Sequence, residues 1–510
     1  MLSKSYPLAV ATKQMTYDDV MQCFKVAAQA GIVKAYADIA DLYAKAKKYT
    51  KALEYYQKGV AKGDDRAFVG LGELYLNGHG VAKDYRKAFK NFEKASLKGN
   101  SQGRLDLGYM YEKGLGVKQD YHKALEFYKK ATEDKNGEKN LQAYLSLGNM
   151  YFHGLGVAKD YAKAVQYYTE SLKGSSVLDA YAILGSIYEQ GGYGVEQDYE
   201  QAISYYQKGA DKGDQNSKQR LIHLLNTTAE QFQNGQGVEQ DYDQAMKLYE
   251  KAAQAGDANA YVQIGLMYAN GQGVQQDYQQ ALEYFQKAAD NGSAWGYTHL
   301  GEMYEEGKGV GQDYQEAMEY YKKGMQGGNY GAYYQLASMY LEGKGVPKNP
   351  TKALEYYNKA AHDGDTNTYI RVGNLYKDGE GVKKDGQKAL EFYKKAAAVG
   401  EANGYAGLAG LYAGGHALKK DYAKALEYYK KAGDAGYGGL GLLYERGEGV
   451  KQDYAKALEY YKKGEANNDW DAYVGLGSLY EKGLGVPKDA QKAQKYYQKA
   501  CKMGLKRACH

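Results

Sequence analysis

An all-α solenoid of stacked helix–loop–helix units is the architecture to expect of this 510-residue chain. The phrase L-G-x-x-Y-x-x-G-x-G-V-x-x-D-Y-x-K-A-L-E-Y-Y-x-K-A recurs twelve times, its first turn glycine falling at Gly78, Gly114, Gly154, Gly192, Gly235, Gly271, Gly307, Gly343, Gly379, Gly415, Gly447 and Gly483. Most steps are 36 residues, and a fixed period of this size marks a stack whose units bury their apolar faces only against their neighbours. Within a unit, apolar residues return at the spacing of one helical face. Gly is abundant (65) and Pro scarce (4). Such glycine enrichment often means disorder or collagen, but here the glycines stand at fixed repeat positions and punctuate helices.

The elements follow in order. In the N-terminal segment, 1–34, Val20, Met21, Phe24, Ala27, Ala28 and Gly31 read as a lone second-type helix that caps the stack. An irregular array covers 35–210. In its first unit the run from Leu42 to Leu53 lacks the glycine turn, and near 133–139 four extra residues separate two units. Residues 211–234 are a lengthened joint with a step of 43 residues, where Leu221, Ile222, Leu224, Leu225 and Phe232 indicate a long or broken first helix without the usual glycine. A regular array covers 235–503, shortened by four residues at 433–441, and 504–510 form a C-terminal tail.

Residues 258–292 show how one unit works. Ala260, Ile264, Met267 and Tyr268 share one face of the first helix. Gly265 interrupts that helix at a cost of about 1 kcal/mol relative to alanine. The slot also holds Gly72, Gly108, Gly148, Gly185, Gly301, Gly373 and Gly477, with Ala337 and Ala409 as small substitutes. A small residue there predicts close approach of the paired helix. Gly271 suits a left-handed helix end, Gly273 continues the turn, and Val274 plugs the gap between helices. Asp277 is placed to cap the second helix, with Gln280 three residues on as in a capping box. Asp198 with Gln201, Asp241 with Gln244 and Asp313 with Glu316 repeat that pair. The second helix is expected to bury Tyr278, Ala281, Leu282, Phe285, Ala288 and Ala289, and Gly292 ends it.

The pattern A-x-x-x-L-G-x-x-Y-x-x-G-x-G-V-x-x-D-Y-x-K-A, present over roughly residues 35–503, resembles the Sel-1-like repeat family, relatives of the tetratricopeptide repeat with a longer inter-helix turn. The resemblance implies a right-handed α/α superhelix of about 12–13 repeats and work as a protein–protein scaffold or adaptor. It implies no universal substrate.

Little in the chain points to catalysis. The G-x-G-V turns are not phosphate loops, because a helix precedes each where a dinucleotide site needs a strand. The eight histidines are scattered with no H-E-x-x-H and no zinc-ligand spacing. No catalytic residue, cofactor or metal is expected. A net charge of +5 is small for the length, so no global field for nucleic acid is expected. Residues 1–15 lack the apolar run of a signal peptide, no stretch approaches a membrane span, and three cysteines fit a reducing compartment. A cytoplasmic, soluble protein is the expectation, with organelle targeting left open by Lys4 and Lys13 in an acid-free stretch.

Binding residues are expected where the repeat leaves side chains outside its core. In the Tyr-Tyr pairs of the second helices the second ring aligns with the buried face, so Tyr320, Tyr356, Tyr428 and Tyr460 flank it and are candidate partner contacts. Residues 482–510 hold eight Lys or Arg against Asp489 alone. Lys492, Lys495, Lys499, Lys502, Lys506 and Arg507 are the candidates there for docking on an acidic surface. By resemblance to a secreted cysteine-rich branch of the family, Cys501 and Cys509 are a candidate disulfide. Only the last unit carries that spacing, and two free thiols are the plainer reading. The leading function is a non-enzymatic scaffold, a structural subunit of a larger assembly whose partners are proteins. The alternatives are a peripheral membrane or nucleic-acid adaptor docking through the basic end, and a hydrolase like the β-lactamase-like members of the cysteine-rich branch. Individual specificity belongs where the repeat changes: the turnless first unit, the long step, the shortened unit near Gly436 and the basic end.

Overall fold

The computed structural model describes residues 16–133, 140–174, 178–362, 366–415 and 419–503. Among these residues there are 27 α-helices, one short 3-10 turn at Gly433–Gly436, and no strand. The chain forms two compact units, Met1–Thr227 and Thr228–His510. Within each, first helices of several successive repeats touch, among them Ala35–Lys45 with Asp65–Asn77 and Tyr437–Arg446 with Trp470–Lys482, whereas second helices do not approach one another comparably. First helices therefore line the inner side of each stack.

The N-terminal unit opens with the helix Tyr17–Gln29, capped by a full capping box between Thr16 and Asp19. Its buried Val20, Met21, Phe24, Ala27 and Ala28 pack on Ile39 and Leu42 of the helix Ala35–Lys45. The first repeat turns through only Ala46 to Lys48 before Tyr49–Ala61 begins, as its missing glycine turn implies. The extra residues expected near 133–139 lie largely outside the described residues. The long step is one unbroken helix, Gln215–Asn234, of 20 residues where first helices elsewhere commonly have 13. No glycine or proline interrupts it, and Leu221, Leu224 and Leu225 are buried along it.

In the C-terminal unit the regular repeat shows its construction. Gly271 adopts φ +67° at the end of Ala258–Asn270, and Gln272 N–H donates to Met267 C=O at 2.9 Å. Asp277 then accepts from the N–H groups of Gln279 at 2.9 Å and Gln280 at 3.0 Å. The capping box expected there is only half made. The Asp277 N–H, which the Gln280 side chain was to receive, instead donates to Tyr268 C=O at 3.0 Å. The same return bond joins Asp84 to Tyr75, Asp198 to Tyr188, Asp313 to Tyr304 and Asp489 to Tyr480, clamping the two helix ends together. Of the expected core, Ala281, Phe285, Ala288 and Ala289 are buried, while Tyr278 and Leu282, nearer the helix flank, are half-buried.

The small slot in the first helix faces an aromatic ring. A Cβ added at Gly265 would stand 2.6 Å from Phe285, and one at Gly301 would stand 2.6 Å from Tyr321. Gly108, Gly148, Gly185, Gly373 and Gly477 meet the rings of Tyr128, Tyr168, Tyr206, Tyr393 and Tyr497 in the same way. The lost alanine propensity is thus exchanged for direct packing of a ring on the helix backbone. The shortening at 433–441 is shared between two helices. Tyr422–Lys431 and Tyr437–Arg446 have 10 residues each, with the 3-10 turn between them.

Candidate interaction site

A groove on the inner side of the C-terminal unit forms where the repeat shortens. It comprises two adjoining cavities of about 740 and 590 Å³, sharing Tyr429, Gly439 and Asp471. Its floor follows from one position in the first helices. Gln263, His299, Gln335 and Arg371 occupy that position earlier in the unit, but Gly407, Gly439 and Gly475 occupy it in the last three repeats. With no side chain there, the rings of Tyr393, Tyr429 and Tyr461 lie against bare backbone, where a Cβ would stand only 2.6, 2.2 and 2.2 Å away.

Tyr429 is the exception among these rings. The hydroxyls of Tyr321 and Tyr461 donate to Glu305 at 2.8 Å and Glu445 at 2.6 Å, and that of Tyr393 donates to Asn374 at 2.5 Å. In the repeat of Tyr429 the matching first-helix positions are Ala413 and Gly410, which offer no acceptor. Its ring is only half-buried, and its hydroxyl makes no hydrogen bond among the described residues. Burial, with Asp471, Asp469 and Glu448 nearby, pushes that hydroxyl up to about 12, so it remains a donor at neutral pH. Gly410 beside it is open: an added Cβ would meet nothing closer than the Tyr429 hydroxyl at 3.9 Å. The rim carries Trp470, 40% exposed, with Lys377, Asp434 and Asp471. Asp469 holds two helices at once, accepting from Asp471 N–H at 2.9 Å and from Gly438 N–H at 3.0 Å. A donor hydroxyl, an exposed indole and carboxylates around a backbone-lined floor can hold an extended polypeptide.

The tyrosines nominated from the sequence lie elsewhere. Tyr320, Tyr356, Tyr428 and Tyr460 are half-buried and stack on Tyr304, Tyr340, Tyr412 and Tyr444 at 5.4, 5.7, 5.9 and 5.6 Å between centroids. Lys323, Lys359, Lys431 and Lys463 lie over the same four rings. These rings are already engaged within their own repeats. Tyr429, adjacent to Tyr428, escaped the sequence reading; the signal that could have found it is the loss of an acidic residue sixteen positions earlier, where Ala413 replaces the counterpart of Glu305 and Glu445.

At the basic end, Lys492 donates to the Tyr480 hydroxyl at 2.8 Å and Lys499 pairs with Glu465 at 3.2 Å. Lys495 and Lys502 are exposed, while Lys506 and Arg507 lie outside the described residues. Cys501 is half-buried in the last turn of Ala490–Lys502, and Cys509 lies outside the described residues. Cys23 is a free, exposed thiol. No helix among the described residues is long and apolar enough to cross a membrane.

The Sel1 repeat model matches thirteen segments, five between residues 34 and 214 and eight between 232 and 505. The unmatched stretch 215–231 is most of the long helix. No curated protein matches the chain. Among solved structures, a protective antigen present in uropathogenic Escherichia coli strains, displaying an SLR fold, is 30% identical with a TM-score of 0.51, covering 89% of this chain and 96% of its own. A Sel1 repeat protein from Oxalobacter formigenes is 26% identical with a TM-score of 0.40, covering 64% of this chain and 91% of its own. Repeat matches over most of the chain and a 30% identical relative along nearly all of it lead to one assignment: the chain belongs to the Sel1 repeat family.

Proposed function

We propose that the chain is a non-enzymatic protein–protein interaction scaffold, a structural subunit of a larger assembly, which grips an extended segment of a partner in the groove around Tyr429. One observation carries this reading: three successive repeats replace the inner-face side chain with glycine, opening a floor beside a tyrosine hydroxyl that its own repeat leaves without an acceptor. Sel1 repeats mediate protein interactions, which supports the general class. Gly410→Leu tests it, because the leucine fills the groove without striking backbone. The variant should keep wild-type helicity and melting temperature while losing at least tenfold of its partner recovery, read by affinity purification with quantitative mass spectrometry. Undiminished recovery of every partner would remove the groove from the reading.

A further inference from the structure

The larger cavity of the groove has a chemistry of its own. At the start of Trp470–Lys482 the run Asp469, Trp470, Asp471 sets an indole between two carboxylates, and all three residues line that cavity. The matching runs of earlier repeats, Asp257-Ala258-Asn259, Ser293-Ala294-Trp295, Asn329-Tyr330-Gly331 and Glu401-Ala402-Asn403, carry no carboxylate at the third position. Glycine brings the groups together. Gly438 N–H donates to Asp469 at 3.0 Å, and a Cβ built on Gly438 would stand 2.9 Å from that of Asp471. The next residue, Gly439, lies against the Tyr429 ring. Asp469, Asp471 and Tyr429 therefore meet over two consecutive backbone positions.

Asp434, on the 3-10 turn, lines the same cavity. It is exposed, and its carboxylate makes no hydrogen bond or ion pair among the described residues. Among the lining residues the one cation is Lys377, which pairs at 3.6 Å with Asp378, outside the lining. Three carboxylates thus surround a cavity whose own lysine is engaged elsewhere, in a chain that carries +5 as a whole. A guanidinium suits every group there: it stacks flat on an indole, forks its N–H donors onto carboxylates and is more weakly hydrated than an ammonium. The Tyr429 hydroxyl is a donor, and a main-chain carbonyl beside the guanidinium supplies its acceptor.

We infer that the groove recognises an arginine carried in an extended segment of a partner protein. The guanidinium lies against Trp470 among Asp434, Asp469 and Asp471, and the main chain crosses the Tyr429 hydroxyl. This rests on the groove reading above and adds the residue that the partner must bring. Charge complementarity selects the occupant.

The test is calorimetry on the full chain at about 50 mM salt, where surface charge is weakly screened. The probes are a short glycine–serine peptide with one central arginine, the same peptide with lysine, and the same with citrulline, which keeps the shape of arginine without its charge. The arginine peptide should bind, the lysine peptide less tightly, and the citrulline peptide about tenfold more weakly, the worth of one stacked and paired cation. Asp434→Asn and Trp470→Leu should each weaken the arginine peptide and leave the citrulline peptide unchanged. Asp434 is exposed, so its variant guards against misfolding. Glu459→Gln, an exposed acid on a second helix outside the cavity, should change nothing. No binding of the arginine peptide, or equal binding of the citrulline peptide, would overturn the inference. Free arginine binding as tightly as the peptide would overturn the segment as occupant. Either result leaves the groove reading standing while Gly410→Leu still loses partner recovery, so the two failures are told apart.

Discussion

At Gly301 an added Cβ would stand 2.6 Å from the Tyr321 ring, which is fully buried and bonded through its hydroxyl to Glu305. The ring cannot retreat without breaking that bond. Gly301→Ala should therefore destabilise the C-terminal unit by about 1–3 kcal/mol, the usual range for overpacking, despite alanine's better helix propensity; urea unfolding of both proteins checks it. Asp106 sets a pH dependence. Burial, with Glu73 nearby, pushes its carboxyl up to about 8 from the ordinary 3.8. Between those values the folded chain holds a proton that the unfolded chain releases, so the contribution is complete below pH 3.8 and is lost as pH rises through 8. From pH 5 to pH 7 the wild type should lose about 2–3 kcal/mol more stability than Asp106→Asn, at about 1.4 kcal/mol per pH unit, measured by urea titration at both pH values. At this scale the sequence revealed the buried ring of most Tyr-Tyr pairs, such as Tyr321, Tyr357 and Tyr461, through its helical phase, whereas Tyr429, expected on the buried face, is half-buried. The sequence did not reveal that the flanking ring stacks within its own repeat, because Tyr304 and Tyr320 meet only once the hairpin closes.

Between helices, the aspartate found at most turns acts through both its side chain and its backbone. Asp277 caps the second helix through its carboxylate and ties back to Tyr268 through its N–H. Asp469 differs, because its carboxylate serves both Trp470–Lys482 and the shortened Tyr437–Arg446. An ordinary cap is worth about 1 kcal/mol. Asp277→Ala should thus cost about that amount, and Asp469→Ala roughly double, about 2 kcal/mol, since two helix ends lose their acceptor. Thermal unfolding of the two variants side by side reports the difference. Helix ends were legible from the sequence because glycine and aspartate mark them. The return bond was not, since its acceptor is a backbone carbonyl that any residue supplies. For the 43-residue step the spacing alone left a long or a broken helix open; the absence of glycine and proline from 215–234 favours the continuous helix that forms.

For the chain as a whole, stability is distributed. Core clusters such as that around Tyr321, Leu336 and Met339, or that around Tyr461, Leu476 and Leu479, each draw on neighbouring repeats. A repeat stack of this kind gains stability from nearest neighbours, so local changes to one inner-face residue leave distant repeats unaffected. That independence is what allows Gly407, Gly439 and Gly475 to open one surface while the earlier repeats keep a side chain at the same position. The family framework was legible because it repeats; the groove was not, because it depends on a position that the repeat leaves unspecified and on which neighbours share the inner side.

The rim position of Trp470 has an optical consequence. The chain contains only two tryptophans, Trp295 and Trp470, both in the C-terminal unit. Light that excites indole selectively therefore illuminates that unit alone, and one of its two emitters sits at the mouth of the groove. The protein carries its own fluorescent label there, so occupancy of the Tyr429 groove is readable on the unmodified chain while the N-terminal unit remains dark.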